Sequence, residues 1–185
     1  MDILDFVSVY KNVWPSAVGG PELICKSIME HNYNYEPSTY SNHSGQVNPV
    51  KRVKMDEYWI RDSDQYYVEI KYTFNNVIKQ YSEEHPLFSA QHMTDFRINR
   101  YSEGGFMSQH PDSIHHSHGQ QYGYPHVTAL LILNDDFEGG EFYLADKEFK
   151  LEKGSSIVFP SNFIYPHEVK VITKGTRWSI LTWLM

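Results

Sequence analysis

Apolar residues recur every three or four positions between residues 64 and 84, where Tyr67, Ile70, Phe74, Val77 and Tyr81 share one helical face. The spacing predicts an amphipathic helix over 64–84, stopped by Pro86. A shorter helix is expected over 22–31, because Pro21 follows Gly20 and suits a first helical turn. Residues 5–14 are two-sided. Val7 and Val9 alternate as in a strand, whereas Ile3, Phe6, Tyr10 and Val13 suit a helix; the strand is the expected form.

From Met93 onward the periodicity shortens. Strand-like runs cover 94–101, 127–133, 141–144, 155–159, 165–171 and 177–184. Between them stand turn signals: Gly104-Gly105, Asp135-Asp136, Gly139-Gly140, Lys153-Gly154 and Lys174-Gly175. Short strands so spaced imply a sandwich or barrel, with the two helices covering one sheet face. The expected organisation is one domain over 1–185, with 1–91 as helical and strand support and 92–185 as the core.

Composition narrows the function. Across 185 residues, 10 Phe, 4 Trp and 14 Tyr supply large core side chains, which excludes a disordered chain. Sixteen basic against 23 acidic residues give −7, so nucleic-acid binding driven by bulk phosphate attraction is disfavoured. The single cysteine, Cys25, rules out a disulfide framework and a cysteine-based zinc site, and its apolar neighbours Leu23, Ile24 and Ile28 suggest a buried thiol. Asp2 and Asp5 stand where a signal peptide would be basic, and no apolar run approaches the roughly 20 residues of a membrane span. A cytoplasmic protein without a membrane partner is therefore expected.

Three features of the strand-rich half carry chemistry together. In His110-Pro111-Asp112 an imidazole and a carboxylate stand two residues apart, on one face of an extended segment and about 7 Å apart along it. His167, in Tyr165-Pro166-His167-Glu168-Val169, would add a third ligand. Two histidines and one carboxylate on one side of a metal suit non-haem Fe(II), whereas a catalytic zinc site leaves fewer vacancies for a chelating cosubstrate. Arg177 lies in an apolar strand with Trp178, Ile180, Leu181 and Trp183. Either it faces outward, or its planar fork clamps a carboxylate ligand, with Ser179 on the same face as a further donor.

The run Tyr101, Gly104-Gly105, His110-x-Asp112, Thr128, Leu133-Asn134, Gly139-Gly140-Glu141, Lys153-Gly154, Phe159-Pro160, His167, Val171, Gly175-x-Arg177 and Trp183 resembles the Fe(II)- and 2-oxoglutarate-dependent dioxygenases. Within them it is similar to the prolyl 4-hydroxylase-like branch. The resemblance spans residues 97–183 and implies a double-stranded β-helix, a mainly β jelly roll with amino-terminal helices packed on one sheet. It implies that His110, Asp112 and His167 bind Fe(II) and that Arg177 binds the distal carboxylate of 2-oxoglutarate. Tyr101, Thr128 and Trp183 match pocket-lining positions, although core packing is the alternative for Thr128 and, with equal weight, for Trp183; Ser179 joins the candidate cosubstrate contacts because it shares the face of Arg177. The implied reaction consumes O2 and 2-oxoglutarate, yields succinate and CO2, and hydroxylates an unactivated C–H bond; ascorbate is the implied reductant. A prolyl or other residue of a peptide or protein is the implied substrate, with a free amino acid or small metabolite as the alternative.

Two positions depart from the pattern. Ile132 replaces a tyrosine that helps hold the distal carboxylate in some relatives, and His126 stands where an arginine is common. Three other readings compete. A cupin-type metalloprotein would use His116-Ser117-His118, but no glutamate follows within four residues. Nucleic-acid demethylases resemble Arg-x5-Arg at the last strand, whereas here Arg177 is followed by Trp183; the run Lys51-Arg52-Val53-Lys54 reads as a solvated face. A jelly-roll binding module would not require the three candidate ligands to converge. Residues 39–50 and 113–125, rich in Ser, Asn, Gly, His and Gln, are the expected substrate-recognising loops or lids.

Overall fold

The computed structural model describes residues 2–15, 19–41, 47–48, 52–90, 92–113 and 123–185. A 3-10 turn (Ile3–Phe6) leads into β1 (Ser8–Tyr10), α1 (Gly20–Glu30), β2 (Glu36–Pro37), β3 (Tyr40–Ser41), β4 (Val47–Asn48), β5 (Val53–Lys54), β6 (Asp56–Ile60) and α2 (Tyr67–Glu84). There follow β7 (Phe96–Tyr101), β8 (Phe106–His110), β9 (Val127–Ile132), β10 (Glu138–Gly139), β11 (Phe142–Leu144) and β12 (Lys147–Phe149). The chain ends through β13 (Ser156–Pro160), β14 (His167–Val169), β15 (Ile172–Lys174) and β16 (Arg177–Leu184).

Two antiparallel sheets face each other as a double-stranded β-helix. The larger runs β1-β13-β9-β16-β7-β6-β2 and the smaller β12-β11-β14-β8-β5. Leu130, Ile132, Leu181 and Trp183 from the larger sheet meet Phe142, Leu144 and Val169 from the smaller in an inner core. The opposite face of the larger sheet is covered by α1 and α2. There Ile70, Phe74, Val77 and Tyr81 pack with Phe96, Ile98, Leu131 and Ile180, and the Phe74 and Phe96 rings stack 5.2 Å apart. Burying each such side chain stabilises the fold by about 1.5–3 kcal/mol. The larger sheet is thus buried on both faces, which matters for the site below.

Several boundaries differ from the sequence expectation, each for a local reason. α2 starts at Tyr67, not 64, because the Asp64 carboxylate is consumed in the preceding turn, accepting from Arg61 N at 2.8 Å and Tyr58 OH at 2.6 Å. The expected strand over 5–14 shrinks to Ser8–Tyr10. Asp2 caps the 3-10 turn by accepting from Leu4 N at 3.0 Å, while Tyr165 donates to Ile3 O at 2.8 Å and Tyr81 to Phe6 O at 2.9 Å. The loops expected to recognise substrate, 39–50 and 113–125, and the His116-Ser117-His118 run lie largely outside the described residues. Among the described residues, no helix is long and apolar enough to cross a membrane.

Candidate active site

β8 and β14 are antiparallel neighbours, and their register sets His110 directly opposite His167, with ring centroids 4.3 Å apart. Pro111 has no N–H to continue the ladder, so the chain leaves β8 there and presents Asp112 beside both rings. Ser161 accepts the N–H groups of Asp112 at 3.1 Å and Ser113 at 2.9 Å, which fixes this exit. One ligand atom from each of His110, Asp112 and His167 then lies within 4.8 Å of the others, in a buried cluster. The Asp112 carboxylate oxygens sit 3.5 Å from His110 Nε2 and 3.4 Å from His167 Nε2.

The surroundings prepare these groups for a cation. Each histidine turns its Nδ1 to a backbone carbonyl, His110 to Ser108 O at 2.8 Å and His167 to Tyr165 O at 3.4 Å. An Nδ1–H donated there leaves the Nε2 lone pair facing the cluster. Burial alone would raise the Asp112 pKa; the facing imidazoles of His167 and His110 and the Thr128 hydroxyl outweigh it and hold the carboxyl well below its usual range. Burial drives His167 down to about 4, partly offset by Asp112. At neutral pH His167 is therefore a neutral imidazole beside an ionised carboxylate. Two imidazoles and one carboxylate, buried and mutually aligned, fit an Fe(II)-type ion with open positions.

The depressed His167 pKa has a consequence for the metal-free protein. Unfolded chains take up a proton on this imidazole near pH 6.5, the folded protein only near 4. The unfolded state thus binds more protons between these values, and stability falls as pH drops through that window. Metal-free protein should lose up to about 3 kcal/mol from this group between pH 7 and pH 4. Urea unfolding at both pH values should show the loss in the wild type and a smaller one in His167→Phe.

Arg177 stands opposite Tyr101 in the β16–β7 pairing, and Ser179 opposite Asn99. The arginine is 3 % exposed and its guanidinium carbon lies 5.5 Å from the Tyr101 ring centre. It thus faces the interior, which removes the outward-facing reading. Gly140, at φ +66, packs beside its stem, and a Cβ there would collide with the Ile172 side chain. Among the described residues no carboxylate pairs with Arg177, and its guanidinium makes one long contact, 3.4 Å to Ser179 Oγ. Burial lowers its pKa and raises that of the Tyr101 phenol, whose hydroxyl makes no hydrogen bond among the described residues.

A single cavity joins these parts. It is lined by His110, Asp112 and His167 at one side and by Tyr101, Arg177 and Ser179 at another, with Met55, Met107, Leu130 and Leu181 as apolar wall. Thr128 and Trp183, expected as pocket-lining residues, do not line it. The Thr128 hydroxyl is spent on the His110–Asp112–His167 cluster, donating to Asp112 Oδ2 at 2.6 Å and touching Ser161 Oγ at 2.8 Å. The Trp183 indole packs against Arg97, 5.0 Å from its ring centre, and tilts over Trp59. Thr128 is therefore placed to orient a ligand. Thr128→Val should weaken metal binding about 10- to 100-fold with the fold retained, as read by metal competition and circular dichroism.

Sequence reasoning missed Arg97 and Asn99, which also line the cavity. Arg97 pairs with Glu57 at 3.3 Å, and Asn99 is 4 % exposed. The signal was present in Phe96-Arg97-Ile98-Asn99-Arg100-Tyr101, where alternation puts Arg97 and Asn99 on the same face as Tyr101. His126 is exposed, with its backbone bridging Leu184 and Ser161, and Ile132 is buried in the inner core.

Comparison with known proteins agrees with this geometry. Residues 96–185 match the 2OG-Fe(II) oxygenase superfamily. Human prolyl 3-hydroxylase 2 is 39% identical over 69 residues, covering 34% of this chain and 10% of that protein. A PKHD-type hydroxylase of Thermosynechococcus vestitus is 28% identical over 145 residues, covering 73% of this chain and 62% of that one. The chain thus spans less than two thirds of either relative. A Trichoplax adhaerens prolyl hydroxylase, solved with a hypoxia inducible factor peptide fragment, superposes with a TM-score of 0.72 at 18% identity, over 98% of this chain and 84% of that one. At that identity the likeness shows a shared fold. These matches make residues 96–185, just under half of the chain, similar to the 2OG-Fe(II) oxygenase superfamily.

Proposed function

We propose that the protein is an Fe(II)- and 2-oxoglutarate-dependent hydroxylase of an unactivated C–H bond. The observation that carries this reading is the buried Arg177, without a carboxylate partner among the described residues, in the same cavity as the His110, Asp112 and His167 cluster. A buried unpaired cation costs several kcal/mol, so a protein that keeps one has an anion to receive. The charges support a particular anion. Two neutral imidazoles and one carboxylate leave a divalent ion at +1, and Arg177 adds +1, which a 2-oxo dicarboxylate balances. When bound, the metal and 2-oxoglutarate supply the oxidising chemistry, consuming O2 and releasing succinate and CO2.

The chain's own residues set the geometry. His110, Asp112 and His167 would hold the ion on one face, and Arg177 with Ser179 would fix the far end of the cosubstrate. Phe159 lies edge-on to His167 at 4.9 Å, and the apolar wall keeps water from the reacting centre. A binding module has no need for this convergence. The names of the relatives favour a prolyl residue of a peptide or protein as substrate, with a free amino acid or small metabolite as the second possibility.

The test is substrate-independent turnover. Protein is loaded anaerobically with Fe(II), 2-oxoglutarate and ascorbate, O2 is admitted, and succinate is followed beside an Arg177→Ala control. Iron-dependent succinate that the control lacks is the expected result. Absence of succinate together with absence of iron and 2-oxoglutarate binding overturns the reading.

A further inference from the structure

Asn134 belongs to the sequence run that resembles the oxygenases, yet it does not line the cavity. It is buried just past the end of β9, where the ladder between β9 and β16 stops. The last paired residues are Ile132 and Ser179, and Leu133 N still donates to Trp178 O at 3.1 Å. Beyond that point, among the described residues, no strand continues beside β16 on the β9 side. The Asn134 carboxamide takes the place of one. Its Nδ2 donates to Thr176 O at 2.7 Å, and its Oδ1 accepts the Trp178 N–H at 2.8 Å. The second Nδ2 hydrogen goes to Asp136 Oδ1 at 2.7 Å. This network admits one orientation of the amide, because a carboxylate and a carbonyl only accept and a backbone N–H only donates. An aspartate of the same shape could not satisfy it.

We propose that Asn134 is a positioning residue for cosubstrate binding: it fixes the peptide groups on both sides of Arg177 and so aims the guanidinium at the distal carboxylate of 2-oxoglutarate. This rests on the reading of Arg177 as the receiver of that carboxylate. The two bonded groups, Thr176 C=O and Trp178 N–H, flank the Arg177 Cα, so together they restrain rotation about its φ and ψ bonds. On its other side Arg177 faces Tyr101 in the β7 ladder. The residue is therefore held by a strand on one side and by a single carboxamide on the other. Its tip has no comparable anchor. The guanidinium makes one long contact, 3.4 Å to Ser179 Oγ, and pairs with no carboxylate among the described residues. A long side chain without a partner at its end points where its backbone sends it. A fork aimed in advance engages both carboxylate oxygens, whereas a misaimed one keeps its charge and loses one of the two bonds.

The experiment measures binding without turnover, by anaerobic titration calorimetry of protein loaded with Mn(II). It compares 2-oxoglutarate with 2-oxobutyrate, which keeps the chelating end and lacks the distal carboxylate. Asn134→Ala should bind 2-oxoglutarate about tenfold more weakly, the value of one hydrogen bond to a charged group. Its affinities for 2-oxobutyrate and for Mn(II) should stay within about twofold of the wild type, since the metal cluster is untouched. Its melting temperature should fall, because Thr176 O and Trp178 N lose their partner. A purely structural asparagine would show that fall with the preference for 2-oxoglutarate intact. Asn134→Asp keeps the acceptor for Trp178 N and loses the donor to Thr176 O, so it should lose less of the preference than alanine. Asp136→Ala removes the turn contact but neither bond beside Arg177, and should keep the preference. The proposal is overturned if folded Asn134→Ala and Asn134→Asp both keep the wild-type preference, or if 2-oxobutyrate binding falls as far as that of 2-oxoglutarate. It is also overturned if Asp136→Ala loses the preference as Asn134→Ala does, because the turn would then set the aim. Arg177→Met keeps the two ideas separable. If it too leaves the preference unchanged, the cosubstrate reading of Arg177 fails; if it abolishes the preference while Asn134→Ala does not weaken it, only the role of Asn134 fails.

Discussion

Asp112→Asn is expected to abolish iron binding and turnover while leaving the fold standing. The substitution preserves the shape of the side chain, and its backbone is held independently by Ser161, through the N–H groups of residues 112 and 113. What disappears is the charge. A divalent ion would then face two neutral imidazoles and a neutral amide, in a pocket where all three side chains are nearly enclosed. Low local polarity makes the lost attraction larger than it would be in water. Loss of an outer partner of a metal ligand commonly costs 10- to 100-fold in affinity, so neutralising the ligand itself should cost at least about 100-fold. Iron binding by metal competition and succinate formation should fall together. The metal-free variant should melt within a few degrees of the wild type, because the Thr128 hydroxyl can bond an amide as it bonds the carboxylate. Iron retained at wild-type affinity would mean that Asp112 is not a ligand and that the cluster's alignment serves packing.

The parts of this site legible in the sequence are those whose chemistry is rare in a core. His110-x-Asp112 and His167 stand out because metal-ligand spacing is unusual, and Arg177 because a guanidinium seldom sits among Trp, Ile and Leu. The helix over Tyr67–Glu84 and the strand Arg177–Leu184 were legible from periodicity, and so was the coverage of one sheet face. Asn99 and Arg97 were not, for a physical reason. An alternating strand is ordinarily read as one buried and one solvated face. In β7 the apolar set, Phe96 and Ile98, faces the helices, while the polar set faces the inside of the barrel. Polar residues on the inward face of a closed sheet therefore look like surface until the second sheet is seen. The short strands β5 and β6 escaped for another reason: their pairing is set by long-range register with β8 and β7, not by their own pattern. Thr128 was legible as buried, but its task of bonding Asp112 is a contact across 16 residues that no local pattern encodes.

Arg177→Met should produce two effects of opposite sign in one protein. The guanidinium is 3 % exposed, its charge is disfavoured by burial, and its one described hydrogen bond is 3.4 Å long. Methionine nearly matches the length of its stem and carries no charge, so the free protein should gain stability: exchanging buried ionic groups for apolar ones of similar volume is often worth 1–4 kcal/mol, here roughly the lower half. The melting temperature without ligand should rise by a few degrees. Cosubstrate binding should move the other way. A carboxylate left without its buried cation costs about 2–5 kcal/mol, so 2-oxoglutarate should bind on the order of 30- to 5,000-fold more weakly. Comparison with 2-oxobutyrate, which lacks the distal carboxylate, isolates the contact. The wild type should prefer 2-oxoglutarate strongly, and the variant should bind both about equally. Arg177→Lys should fall between, because it keeps the charge and loses the fork that engages both carboxylate oxygens. A structural arginine predicts the reverse, a lower melting temperature with the preference intact. The chain that is more stable without Arg177 but no longer discriminates would show that this charge is kept in the barrel for its ligand and not for the fold.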